Sequence, residues 1–210
     1  MKGYSYIVAR DYGFAPNPFD NYCTLATCKP IIRKHSDIGD FIFGISPRSS
    51  GNKLIYAMKV SDKMTFNEYW NHPQFQSKKP VLNGSRKTKF GDNIYYFDSN
   101  INQWFQADSH HSNENGVVNE LNLKRDTKTT NFVLIAIDFF YFGAKQIEIP
   151  DEFKSTLTKW NTGTILGVSQ KELSEIESLA VWEWLTKEYH FGIHGFPSLF
   201  DKGFERYDGK

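Results

Sequence analysis

The chain has 210 residues, 40% hydrophobic and 23% charged, with 25 basic and 24 acidic side chains for a formal net charge of +1. A chain this long can bury a core without disulfide or metal staples, so one domain is the default expectation. Near-neutrality excludes the strongly basic face that coats duplex DNA, while leaving room for a grip on one nucleotide or a short strand.

The first predicted element is a strand over residues 4–10, rich in aromatic and β-branched side chains and ended by Asp11-Tyr12-Gly13. The loop that follows, Phe14 to Phe19, is stiffened by Pro16 and Pro18 and suits the wall of a pocket. Residues 23–33 form an apolar stretch interrupted at Pro30. Residues 41–45 and 54–60 predict two strands of a hairpin, joined by a long polar tip. Thr65 and Glu68 have capping-box spacing, so a short helix should run to about Asn71, where Pro73 stops it. Residues 80–91 read as a loop rich in Lys and Arg. Residues 93–97 and 103–106 read as strands around the turn Asp98-Ser99-Asn100. The polar stretch 108–130 predicts a long loop with one helical turn near Leu121, a length associated with function or disorder. Residues 132–142, FVLIAIDFFYF, are the strongest apolar run and predict a central strand that bends or breaks near Asp138.

Beyond residue 150 the pattern turns helical. Ser169 and Glu172 again have capping-box spacing, and Leu173, Ile176, Leu179, Ala180 and Trp184 follow near helical periodicity. An amphipathic helix is therefore expected over residues 172–189. Trp182 and Trp184, two apart, cannot share a helix face, so one is assigned to the core and the other to an exposed or interface position. The tail to Lys210 is expected to be docked or frayed. The domain expectation is a unit over 1–150 with a helical extension over 151–210 packed on it. No apolar run has signal-peptide or membrane-span length, so a cytoplasmic chain with no membrane partner is expected.

Several constellations could carry chemistry. Asp108-Ser109-His110-His111-Ser112 offers a general acid or base near neutral pH, with Asp108 as orienting partner; the bland alternative is a polar turn. Adjacent histidines point to opposite faces when extended, so they should not share one job or one metal. Lys124, Arg125 and Asp126 could clamp a phosphate or form a solvated loop of ion pairs. The Lys/Arg-rich loop near Gly84 lacks the spacing of a nucleotide-hydrolase phosphate loop. Cys23 and Cys28 are too few for a disulfide framework and have no zinc-type pairing. A Cys beside a His could be a nucleophile, but nothing in the order of residues brings His110 or His111 to Cys23, so buried thiols are favoured. Thr24 and Lys29 could face a ligand. No metal ligand set and no cofactor stand out.

GDFIFG followed by LIYAMKV resembles PUA-related barrels, including the EVE and ASCH groups. A longer series, SYIVARDYGFAPNPF, CTLATCKPIIR, GDFIFG, TFNEYW, FGDNIYY, DSHHS, NLKRDT and FFYFGA, resembles the nucleotide modification associated domain 2 family. The resemblance implies an α+β fold: a PUA-like β-barrel core with a few flanking helices and the C-terminal amphipathic helix. It implies a link to modified nucleobases in DNA-modification or phage-conflict settings. The positions that carry it include Arg10, Asp11, Asn17, Thr24, Lys29, Asp108, Ser109, His110, His111, Arg125, Asp126, Tyr141 and Gly143.

Three functions follow. The first is a binding module whose barrel pocket holds a modified nucleobase, nucleotide or modified DNA between aromatic faces such as Tyr12, Phe14 or Tyr141, with Arg10, Asn17, Thr24, Lys29, Ser109 and Arg125 around it. The second is a hydrolase or group transferase on a modified nucleotide, with His110 or His111 as general acid/base, Asp108 behind it and Arg125 on phosphate. The third is a protein-interaction domain built on the C-terminal helix. The first is favoured narrowly over the second.

Overall fold

The apolar runs of the sequence become strands of two sheets that share their connecting segments. The computed structural model describes residues 1–158 and 170–209. Its elements in chain order are β1 (Gly3–Ile7), β2 (Cys23–Leu25), α1 (Pro30–His35), β3 (Phe41–Ile45), β4 (Leu54–Lys59), β5 (Asp62–Thr65), α2 (Phe66–Asn71), α3 (Arg86–Lys89), β6 (Tyr95–Asp98), β7 (Gln103–Gln106), α4 (Glu120–Thr127), β8 (Phe132–Ala136), β9 (Phe139–Tyr141), α5 (Asp151–Thr158), β10 (Gln170–Leu173), α6 (Glu175–Glu188) and β11 (Gly192–Ile193). The class is mixed α+β. A six-stranded sheet has the order β10-β1-β3-β4-β9-β11, a three-stranded sheet the order β2-β8-β5, and β6-β7 form a hairpin. The described strands do not close into the expected barrel.

Side-chain alternation decides the layers, because successive residues of a strand face opposite sides. Phe41 and Phe43 of β3 join one apolar cluster with α5 and α6, while Ile42 joins another that draws on both sheets. Along β8, Leu134 and Ala136 join the shared cluster, and Val133 and Ile135 face a third with Phe66 and Tyr95. Residues 132–142 do break at Asp138: β8 lies in the three-stranded sheet, β9 in the six-stranded one, and Ile137 between them is exposed. The passage from β4 to β5 makes the same transfer, with Ser61 N–H bonded to the Ile135 carbonyl at 2.8 Å. Gly44 keeps the layers close. A Cβ there would sit 2.2 Å from the Tyr56 ring, whose hydroxyl shares a 2.9 Å hydrogen bond with the Tyr6 hydroxyl.

The β3–β4 and β6–β7 pairings match the expected hairpins, and Thr65 with Glu68 forms the expected capping box. Three expectations need correction. The stretch 108–130, expected as a long loop with one helical turn near Leu121, holds the longer helix α4, capped by the Asn119 side chain. Its buried residues are the polar Asn122 and Asp126, so the apolar periodicity that announces a helix is missing. The expected loop over 80–91 contains the single helical turn α3, capped by Ser85. The C-terminal helix starts later than expected. Ser169 lies outside the described residues, Gln170–Leu173 is a strand paired with β1, and the capping box is Ser174 with Glu177. The same Ser-x-x-Glu spacing occurs twice within nine residues, and strand pairing selects the second.

Trp182 packs against Phe41 and Phe140 in the core, while Trp184 is half-buried against Phe153. Both edges of the large sheet, β10 and β11, come from beyond residue 150. Among the described residues, no helix is long and apolar enough to cross a membrane.

Candidate active site

Strand β2 runs into Cys28 and Lys29, and both residues adopt left-handed backbone, with φ of 57° and 39°. Neither is glycine, so each conformation costs of order 1–3 kcal/mol and persists only where the surroundings impose it. The imposing group is Arg33 of α1, fully buried one turn later. Its Nε donates to the Cys28 carbonyl at 2.8 Å, and its terminal nitrogens donate to the carbonyls of Phe132 and Asp126, each at 2.6 Å. One guanidinium thus gathers the segment before α1, the end of α4 and the start of β8.

Asp126 is the centre of the site and is fully buried. One carboxylate oxygen accepts the Cys28 N–H at 2.9 Å and Arg125 Nε at 3.0 Å. The other accepts the Tyr95 hydroxyl at 3.0 Å and His111 Nδ1 at 2.9 Å. With Nδ1–H committed to Asp126, the tautomer assigned from this network leaves Nε2 as an acceptor, with an Arg125 terminal nitrogen at 3.4 Å and Cys28 Sγ at 3.9 Å. The His111 carbonyl is held from behind by Asn122 at 2.9 Å and Gln106 at 3.0 Å. Cys28, His111 and Asp126 therefore stand in line as thiol, imidazole and carboxylate.

The electrostatics fit that alignment. Burial works against the Asp126 carboxylate, but His111 and Arg125 outweigh it and hold its pKa well below the usual carboxylate range. Burial also works against the His111 cation, and Asp126 with Cys28 outweighs it, so the imidazole pKa is raised. Burial raises the Cys28 pKa, but the charge of His111 and its hydrogen bond lower it by more, for a net fall. These directions favour a thiolate–imidazolium pair.

His110 is different. Burial and the neighbouring His111 push its pKa down to about 3, and its Nδ1 meets the Glu205 carbonyl. It is a neutral ring among Tyr12, Phe14 and Phe90. The two histidines do not point to opposite faces. They sit in a turn closed by Ser112 N–H to the Ser109 carbonyl at 3.1 Å, and their rings lie 5.6 Å apart at 28°.

Both rings line a cavity of about 470 Å³, together with Cys28, Lys29, Arg10 and Arg125. Tyr6, Tyr12, Phe14 and Tyr207 provide its aromatic walls. Tyr207 comes from the tail, which is docked rather than frayed: Arg206 bonds Asp108 at 2.6 Å, and Tyr207 N–H bonds the His110 carbonyl at 2.7 Å.

Of the residues expected at a site, Arg10, Lys29, His110, His111 and Arg125 converge on the cavity. Five others do not line it. Asn17 is buried against Lys78 at 2.7 Å, and Thr24 against Asp92 at 2.6 Å. The Tyr141 hydroxyl is bonded to Asp11. Asp108 holds Ser112 and Arg206 and contacts neither imidazole. The Ser109 hydroxyl accepts the His111 N–H at 3.3 Å. The carboxylate behind the histidine is thus Asp126, not Asp108. The expectation of two buried thiols holds for Cys23 but not for Cys28, which is half-buried at the cavity beside His111. The available signal was the series Cys28, His111, Asp126, an order in which nucleophile, base and orienting carboxylate can occur far apart in the chain.

Compared with known families, residues 1–203 match nucleotide modification associated domain 2. The chain belongs to that family. No curated protein and no solved structure matches it. Membership ties this nucleotide modification associated domain to nucleotide modification, and the match extends past β11 to include both edges of the six-stranded sheet.

Proposed function

We propose that this domain is a cysteine-dependent enzyme that hydrolyses or transfers an acyl or amide group on a nucleotide or modified nucleobase. The observation that carries it is the alignment of Cys28, His111 and Asp126 at the wall of one cavity. Thiol, base and orienting carboxylate form the arrangement used for nucleophilic catalysis on unrelated folds, and apo geometries are often longer than the working one.

Cys28 gives its proton to His111 Nε2, and the thiolate attacks the acyl carbon. The carbonyl pair moves to oxygen and returns as the bond to the leaving nitrogen or oxygen breaks. That atom takes the proton from His111, leaving a thioester on Cys28. Water or an acceptor amine then gives its proton to His111 and attacks the thioester, and the released thiolate recovers the proton. Asp126 stays ionised and holds the ring.

The native chain and Cys28→Ala are incubated with nucleosides and nucleotides carrying an acyl group on the base nitrogen, while products and intact protein mass are followed by mass spectrometry. The native chain should release product and carry a transient acyl mass. Cys28→Ala should lose turnover by roughly 10³-fold or more. A native chain that binds these ligands without any adduct or turnover belongs instead to the binding reading. That reading is favoured by the aromatic walls at Tyr12, Phe14 and Tyr207, which suit a base held between rings.

A further inference from the structure

The cavity's charge is one-sided. Arg10, Lys29 and Arg125 line it, and no Asp or Glu is among its described lining residues. Arg125 is committed to Asp126 through Nε. Arg10 and Lys29 have no carboxylate within ion-pair distance among the described residues: the Arg10 guanidinium lies 5.1 Å from the Tyr207 ring, and Lys29 Nζ lies 4.7 Å from the Tyr6 ring. Aromatic faces hold a cation weakly and leave it free to meet an anion.

Lys29 adds a second argument. It stands beside Cys28 in left-handed backbone, where glycine would relieve the strain. A long cationic side chain there is placed in the cavity at a conformational cost. Burial lowers its pKa, with the neighbouring Cys28 opposing in part, and no carboxylate among the described lining residues offsets the rest.

We infer that the cavity takes a nucleoside phosphate, with Lys29 and Arg10 holding the phosphate and the tyrosine and phenylalanine walls holding the base. This deepens the enzymatic reading and rests on it for the role of Cys28. Charge-assisted hydrogen bonds fix the anionic end, and the ring end tolerates the group that reacts. The volume lies within the ~300–1,000 Å³ range of small-molecule sites, which suits one nucleotide.

Binding is measured by calorimetry on the Cys28→Ala chain, in which turnover should be too slow to interfere. The probes are the four ordinary nucleosides, their 5′-monophosphates, and short single-stranded and duplex oligonucleotides. Monophosphates should bind roughly ten- to hundred-fold tighter than nucleosides, with the difference shrinking as salt rises. Lys29→Met should remove most of that difference, and the surface variant Arg10→Gln part of it, with thermal melts confirming that both fold. If only oligonucleotides bind and Lys29→Met weakens them, the phosphate chemistry holds and its source is a strand. Equal binding of nucleoside and monophosphate, or no binding by any phosphate-bearing probe, overturns the inference. If the phosphate preference persists while Cys28 forms no adduct in the native chain, the covalent reading falls alone. If turnover occurs without the preference, only the phosphate inference falls.

Discussion

A free thiol is a poor nucleophile near neutral pH because only a few per cent is ionised. Cys28 differs from Cys23 in what it touches. Burial pushes the Cys23 thiol far up, whereas His111 pulls Cys28 down. Iodoacetamide should therefore modify Cys28 ahead of Cys23, at pH values well below the ~8.5 of an ordinary thiol, as read by peptide mass spectrometry. Asp126→Asn removes the charge that supports the imidazolium, so the alkylation profile should move to higher pH and turnover should fall by roughly 10²–10⁴-fold. An unchanged profile would contradict the thiolate–imidazolium pair. Turnover itself should be bell-shaped. It rises with pH as Cys28 ionises through its lowered pKa, then falls as the proton on His111 is lost through its raised pKa.

At the scale of elements, α4 and α1 matter more than their lengths suggest. Helix α4 presents Arg125 and Asp126, and α1 presents the Arg33 clamp. Arg33→Met leaves three buried carbonyls without donors and should cost about 3–5 kcal/mol in chemical denaturation. Cys28→Ala, which breaks only a long contact to sulfur, should cost less than about 1 kcal/mol. The two hairpins, the first capping box and the break at Asp138 were legible because they follow from alternation, turn residues and caps. Of helix α4 only a single turn near Leu121 was, because the residues it buries, Asn122 and Asp126, are polar. The true start of α6 was ambiguous between two capping-box spacings until β10 paired with β1.

For the whole molecule, the two neighbouring histidines tilt stability in opposite directions. His110 has a folded pKa of about 3, against ~6.5 unfolded, so the unfolded chain binds the extra proton on acidification. Stability should therefore fall by up to about 1.4 kcal/mol per pH unit below pH ~6.5 from this group alone. His111 has a raised folded pKa, so its contribution is fully present below ~6.5 and is lost as pH rises through the folded value. Asp126, held below its unfolded ~3.9, contributes fully above that value and loses the contribution as pH falls from there through its folded pKa. Melting temperatures across pH should show an acid-side slope that flattens in His110→Gln; an unchanged slope would place the titration elsewhere. The family and the mixed α+β class could be read from ordered segments of sequence. That the described strands stay open instead of closing into the expected barrel, and that Cys28 and Asp126 meet His111, could not, since each depends on which distant segments meet.

Arg33 does for this protein what a bound calcium ion does for others: it draws carbonyl oxygens from separate stretches of chain around one positive charge. Two of them, near 126 and 132, lie about a hundred residues along the chain from the first, near 28. The clamp therefore closes only when the last of them has arrived. Until then Cys28 lacks the His111 contact that lowers its pKa, so it should react as an ordinary thiol. Alkylation of Cys28 should speed up only as the fold is completed, which would make thiol reactivity itself a gauge of how much of the population is correctly assembled.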